Sequence, residues 1–133
     1  MVVVDTNILA YLLIEGDRTR DVQALFARDA DWKSEAFVLI EFSNILATYL
    51  RADSLTRNQA HALLVEAEKR VTVLVNLPHG GRCASPSSSA YRLNDAPFLG
   101  AAQSFKTRLV TEAARLRKAA PALTISLSDA LAA

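Results

Sequence analysis

Short continuous apolar runs alternate along this chain with stretches whose apolar positions recur every three or four residues. Val2–Val4 is β-branched throughout, the pattern of a strand buried on both faces of a parallel sheet. From Asn7 the positions Ile8, Leu9, Tyr11, Leu12 and Leu13 fit a helix, which Gly16 and Asp17 end. Asp21–Arg28 repeats the helical pattern with Val22, Leu25 and Phe26 on one side, and Trp32–Ala36 reads as a short strand. Phe37–Leu50 predicts a long, strongly apolar helix, and Thr56 is the expected N-cap of another that runs to about Lys69. Val71–Leu77 alternates as a strand or extended stretch stopped by Pro78. Residues 79–90, HGGRCASPSSSA, hold two glycines, a proline and four serines, which is loop chemistry. Beyond them Ala96–Gln103 predicts a helix, Arg108–Thr111 a strand, Glu112–Ala119 a helix and Leu123–Leu127 a final strand. Strands alternating with helices predict a three-layer α/β fold around a mostly parallel sheet. Neither a repeat nor a linker divides the pattern, so a single domain is expected.

Composition sharpens this in a few places. At 133 residues, 51% hydrophobic and 22% charged, the chain can bury roughly two thirds of its unfolded surface in one core. Fifteen basic residues against 14 acidic leave a net charge of +1, so polyanion binding has to come from local patches. One candidate patch is Lys106, Arg108, Arg115, Arg117 and Lys118, opposed only by Glu112; a solvated helix face explains the same run. Cys83 is the single cysteine, which excludes an internal disulfide and a thiolate zinc cluster, and His61 and His79 are too far apart to suggest a histidine site. The start MVVVDTN is unlike a signal peptide and no run approaches a membrane span, so a cytoplasmic location without membrane contact is expected.

The acids carry the chemistry. Three times a single carboxylate interrupts an apolar run with an asparagine nearby: Asp5 in VVVDTN, Glu41 in VLIEFSN and Asp95 in NDAPFLGAA. A charge moved into apolar surroundings costs several kcal/mol or more unless paired, and no lysine or arginine lies within three residues of Asp5 or Glu41. A metal ion held among acids gathered in space accounts for all three, and such clusters serve phosphodiester chemistry. Each acid also has a plainer explanation. Asp5 suits the N-cap of the helix near Asn7, Asp95 precedes Ala96-Pro97 and suits another, and Glu41 could snorkel from a half-exposed helix. Capping and ligation are compatible, since a carboxylate has two oxygens. Other chemistries lack their residues: there is no GxGxxG, GxxxxGK[ST] or GxSxG, and the position two after Asp5 is Asn7 where a phosphoaspartate phosphatase wants a second Asp.

In this order, VVVDTNILAYLL, VLIEFSNIL, NDAPFLGAAQSFKTRLVT and a closing short strand after Pro121 resemble the PIN-domain ribonucleases, specifically the toxin half of VapBC-type toxin–antitoxin pairs. The resemblance runs nearly end to end. It implies a small α/β/α sandwich, Mg²⁺- or Mn²⁺-dependent endonucleolytic cleavage of RNA, and a small antitoxin partner whose tail lies over apolar surface helices. It also implies Asp5 and Asp95 as metal ligands, Glu41 as a further acid acting directly or through water, Asn7 and Asn44 as orienting residues, and Thr111 as a lining residue of the same pocket. For the helix bearing Ile8, Leu9, Leu12 and Leu13, core packing stands against an antitoxin groove or homodimer surface.

Two departures from the family pattern matter. Family members usually carry an acid two residues after the threonine of the LVT strand, where this chain reads Thr111-Glu112-Ala113. Glu112, a further candidate for the pocket, is adjacent, but one residue along a helix turns a side chain by about 100°, so its longer arm compensates only where the backbone is irregular. The expectation is an attenuated nuclease, or a catalytically inactive PIN-like protein that works by binding a partner; a generic α/β small-molecule binder is the third reading. The second departure is the Gly/Ser/Pro-rich segment at 80–89, where the family usually has a helix; a loop replaces it, or the reading frame slips locally.

Overall fold

The structure is a computed structural model and describes residues 1–74 and 96–133. Among the described residues five parallel strands form one sheet: β1 (Val2–Val4), β2 (Trp32–Glu35), β3 (Val71–Leu74), β4 (Leu109–Val110) and β5 (Thr124–Ile125). Among the described residues seven helices accompany them: α1 (Thr6–Leu13), α2 (Thr19–Arg28), α3 (Val38–Arg51), α4 (Arg57–Arg70), α5 (Ala96–Ser104), α6 (Ala114–Ala119) and α7 (Leu127–Ala132). The expected α/β/α fold is therefore the one found.

The strand order is β3-β2-β1-β4-β5. From β1 the chain winds outward through β2 to β3, and its helices α1 to α4 pack on one another along one face. It then crosses to β4, and α5 packs over β1, β2 and β4, while α6 packs on β5. Because such crossovers are right-handed, α5 and α6 occupy the opposite face. The winding direction reverses between β1 and β4, which pair with Val3 opposite Leu109 and Val4 opposite Val110. A crevice for ligands opens in such sheets beyond the carboxyl ends of the strands at this reversal. The valines of β1 form its floor, with Val3 and Val4 fully buried between the two helical layers.

Most predicted elements are present with shifted ends. The helix after β1 begins at Thr6 with Asp5 as N-cap. Thr56 caps α4 as expected, and Gln59 completes a capping box by accepting the Thr56 N–H at 2.9 Å. Two expectations fail. Glu112 is not helical; α6 starts at Ala114, and Ala113 is its N-cap residue in extended conformation with no side-chain cap bond. The final strand does not reach Leu127: Ser126 accepts the Asp129 N–H at 3.1 Å, and this cap starts α7 where the alternating pattern suggested more strand. The strand predicted over Val71–Leu77 is described to Leu74, and the loop predicted at 79–90 lies outside the described residues.

Ile8 and Leu9 are fully buried in the core, while Leu12 and Leu13 are half-buried against it. The exposed large apolar side chains lie elsewhere, chiefly Phe37 and Ile40 at the start of α3, 53% and 57% exposed. No helix among the described residues is long and apolar enough to cross a membrane.

Candidate active site

Asp5 follows β1 directly and projects into the crevice between β1 and β4. It is 9% exposed, and its extended backbone lets Oδ1 accept the Ile8 N–H at 3.0 Å as the N-cap of α1. Its second oxygen accepts the hydroxyl of Thr111, which ends β4 in the neighbouring position and is fully buried. Thr111 is fixed in turn: its N–H donates to the Ile125 carbonyl at 3.1 Å, and its hydroxyl oxygen accepts the Ala113 N–H at 3.2 Å. The two explanations that the sequence leaves open for Asp5 are thus realised together, a helix cap and a carboxylate held at the carboxyl edge of the sheet.

Glu41 enters from α3. It lies in that helix's first turn, half-buried, and its Oε2 accepts the hydroxyl of Thr6 at 2.7 Å. Thr6 itself is only 5% exposed. Being the residue after Asp5, it ties the second acid to the first across 35 positions of sequence. Glu41 therefore neither snorkels into open solvent nor sinks into the core. Among the described residues no ion pair joins it to a lysine or arginine.

The remaining candidates are placed as follows. Asn7 and Asn44 are both exposed, and the hydroxyls of Thr6 and Thr111 make the contacts to Glu41 and Asp5. Glu112 is half-buried and doubly engaged: Oε1 accepts the Leu127 N–H at the start of α7 at 2.7 Å, and Oε2 accepts from Arg18. Ala113 brings only a methyl group to the linker between Thr111 and α6. Asp95 lies outside the described residues, immediately before the start of α5. The basic run is split by the topology, because Lys106 and Arg108 precede β4 at the amino edge of the sheet while Arg115, Arg117 and Lys118 belong to α6, which starts at the carboxyl edge.

Sequence reasoning missed two polar residues here. One is Thr6, whose only sequence signal is its place between Asp5 and Asn7. The other is Glu35, an acid 8% exposed at the carboxyl end of β2, signalled by a charge at the last position of a short strand.

Asp5, Glu41, Thr6 and Thr111 offer only oxygen donors, the chemistry that Mg²⁺ and Mn²⁺ prefer over the nitrogen and sulfur sets of softer metals. Among the described residues no group of three or more His, Cys, Asp or Glu side chains assembles. In donor type, though not as an assembled cluster, Asp5 and Glu41 suit a hard cation that keeps several of its waters.

Comparison with curated proteins found no match. The family comparison did: the PIN domain matches residues 2–122, from the first valine of β1 to the segment just before β5. That span takes in both walls of the crevice, and the chain belongs to the PIN domain family.

Proposed function

We propose that this protein is a Mg²⁺- or Mn²⁺-dependent endoribonuclease, the VapC-like toxin of a type II toxin–antitoxin pair, with attenuated activity. PIN domains are generally metal-dependent nucleases and typically use divalent metals, so a nuclease-type function follows from the family. The observation that carries the reading further is the pinning of Asp5 at the β1–β4 crevice by Thr111 and the Ile8 N–H, with Glu41 joined to it through Thr6. Side chains fixed this way are preorganised, and preorganised charge costs no rearrangement when the reaction proceeds.

In this reading Asp5 and Asp95 are the metal ligands and Glu41 is the further acid, acting directly or through water. When bound, the cation activates water and stabilises the charge that develops on the phosphate. The chain's own residues do the rest. Thr111 and Thr6 hold the carboxylates in place, each hydroxyl donating to a carboxylate oxygen. Asn7 and Asn44, both exposed, are the residues assigned to orient these carboxylates. Attenuation follows from Ala113, since Glu112 spends both oxygens on Arg18 and Leu127.

The partners in this reading are RNA and a cognate antitoxin in the cytoplasm, with a homodimer as a further assembly. The apolar side chains at the start of α3, Phe37 and Ile40, support a protein partner, as exposed apolar patches do. The whole chain is read as one PIN-like domain carrying an atypical segment at 80–89.

The test is RNA cleavage with added Mn²⁺ by the natural chain, Asp5→Asn, Ala113→Asp and Ala113→Asn. Ala113 is an N-cap, so Ala113→Asp changes helix stability as well as charge, and Ala113→Asn supplies a cap without the acid. Attenuation requires Ala113→Asp to exceed both the natural chain and Ala113→Asn. Equal turnover by all three contradicts it, and absence of cleavage by every variant favours a PIN-like protein that acts only by binding.

A further inference from the structure

One buried acid is left over by this description. Glu35 ends β2, which runs beside β1 with Val3 opposite Lys33, so Glu35 stands at the same carboxyl edge as Asp5, one strand away. It is 8% exposed, and among the described residues no lysine or arginine forms an ion pair with it. A polar group buried to this degree needs a hydrogen-bond partner. Its donor is local: Oε2 accepts the N–H of Phe37 at 2.6 Å.

That one bond sits at a junction. Phe37 is the N-cap residue of α3 and has no side-chain oxygen with which to cap the helix. Glu35, from two positions upstream, instead engages the N–H of Phe37 itself and so fixes the residue from which α3 starts. The carbonyl of the same Phe37 accepts the N–H of Glu41 at 2.9 Å. Phe37 is therefore held on both sides, by the Glu35 carboxylate at its N–H and by the Glu41 backbone at its carbonyl. The Glu41 side chain leaves this turn to meet Thr6.

We propose that Glu35 is a positioning residue for Glu41: its hydrogen bond to Phe37 fixes the first turn of α3, and so fixes where the Glu41 carboxylate stands relative to Asp5. The inference rests on the reading above in which Glu41 serves a cation. Residues that orient metal ligands without touching the metal change affinity by about ten- to a hundredfold when removed.

The test uses the full chain and Mn²⁺, with free Mn²⁺ followed by electron paramagnetic resonance and the Glu41 amide by hydrogen exchange. Glu35→Met fills the space without an acceptor, Glu35→Ala serves if the methionine does not fold, and Glu35→Gln keeps an oxygen for the Phe37 N–H. The expected result is Mn²⁺ affinity lowered about tenfold or more in the variant without an acceptor, together with faster exchange at Glu41, and recovery of both in Glu35→Gln. A lower melting temperature with unchanged Mn²⁺ affinity makes Glu35 a stabiliser of the β2–α3 corner alone and overturns the proposal. Equal loss in Glu35→Gln also overturns it, because the charge and not the hydrogen bond would then be what counts. If Asp5→Asn abolishes Mn²⁺ binding while Glu35→Met leaves it intact, only this inference falls. If the natural chain binds no Mn²⁺, the nuclease reading falls and takes the inference with it.

Discussion

At the scale of single residues, two threonines hold two of the acids, Thr111 holding Asp5 and Thr6 holding Glu41. Thr111→Val keeps the shape of the side chain but removes the hydroxyl that donates to Asp5 Oδ2. Losing a hydrogen bond to a carboxylate costs about 1.5–3 kcal/mol, so the unfolding free energy of Thr111→Val should fall by about that amount, and Mn²⁺ affinity should fall by about tenfold or more. Unchanged affinity in a less stable variant would make Thr111 a packing residue only. Ala113 is a second point of leverage. Its helix lacks a side-chain cap, and Ala113→Asn should stabilise the chain by about 1 kcal/mol in the same measurement. The acids were legible from the sequence because a lone charge in an apolar run has an energetic cost that has to be met somewhere. The threonines were not, since a hydroxyl is cheap enough to place in many environments and signals nothing until its partner is known.

At the scale of elements, the strands and helices legible from periodicity are those with a full apolar face, such as β1, α3 and α4. The carboxyl-terminal part was misread for a physical reason. Leu123–Leu127 alternates as a strand does, yet α7 is set off by a local cap at Ser126 and by a distant one, the Glu112 carboxylate accepting the Leu127 N–H. Alternation over so few residues cannot reveal an acceptor 15 positions away. The same bond explains why Glu112 faces α7 and Arg18. Glu112→Ala removes one acceptor at the start of α7 and the ion pair with Arg18, and it should speed hydrogen exchange at Leu127 relative to the α4 amides. Exchange at Leu127 equal to that of the natural chain would show that Ser126 alone holds the helix. For α4, Thr56→Ala breaks the capping box and should cost about 1 kcal/mol, read from the shift of the denaturation midpoint at constant slope.

At the scale of the whole molecule, the order β3-β2-β1-β4-β5 explains why residues more than a hundred positions apart meet. Asp5 and Thr111 end neighbouring parallel strands, and the winding reversal between those strands leaves their carboxyl ends uncovered by a crossover. The alternation of strands and helices was enough to expect the layers and the parallel sheet. Strand order was not, because periodicity says what each element buries and nothing about which neighbour it pairs with. A cation that binds only the folded chain raises its stability in proportion to the logarithm of its concentration over Kd, so Mn²⁺ should raise the melting temperature of the natural chain and leave that of Asp5→Asn unmoved. The most direct test of the central claim is Mn²⁺-dependent RNA cleavage by the natural chain and by Asp5→Asn at equal concentrations. The site described here requires cleavage that stops when the metal is chelated and falls by about a hundredfold or more in Asp5→Asn; cleavage that persists in Asp5→Asn, or that proceeds in the presence of a chelator, contradicts it.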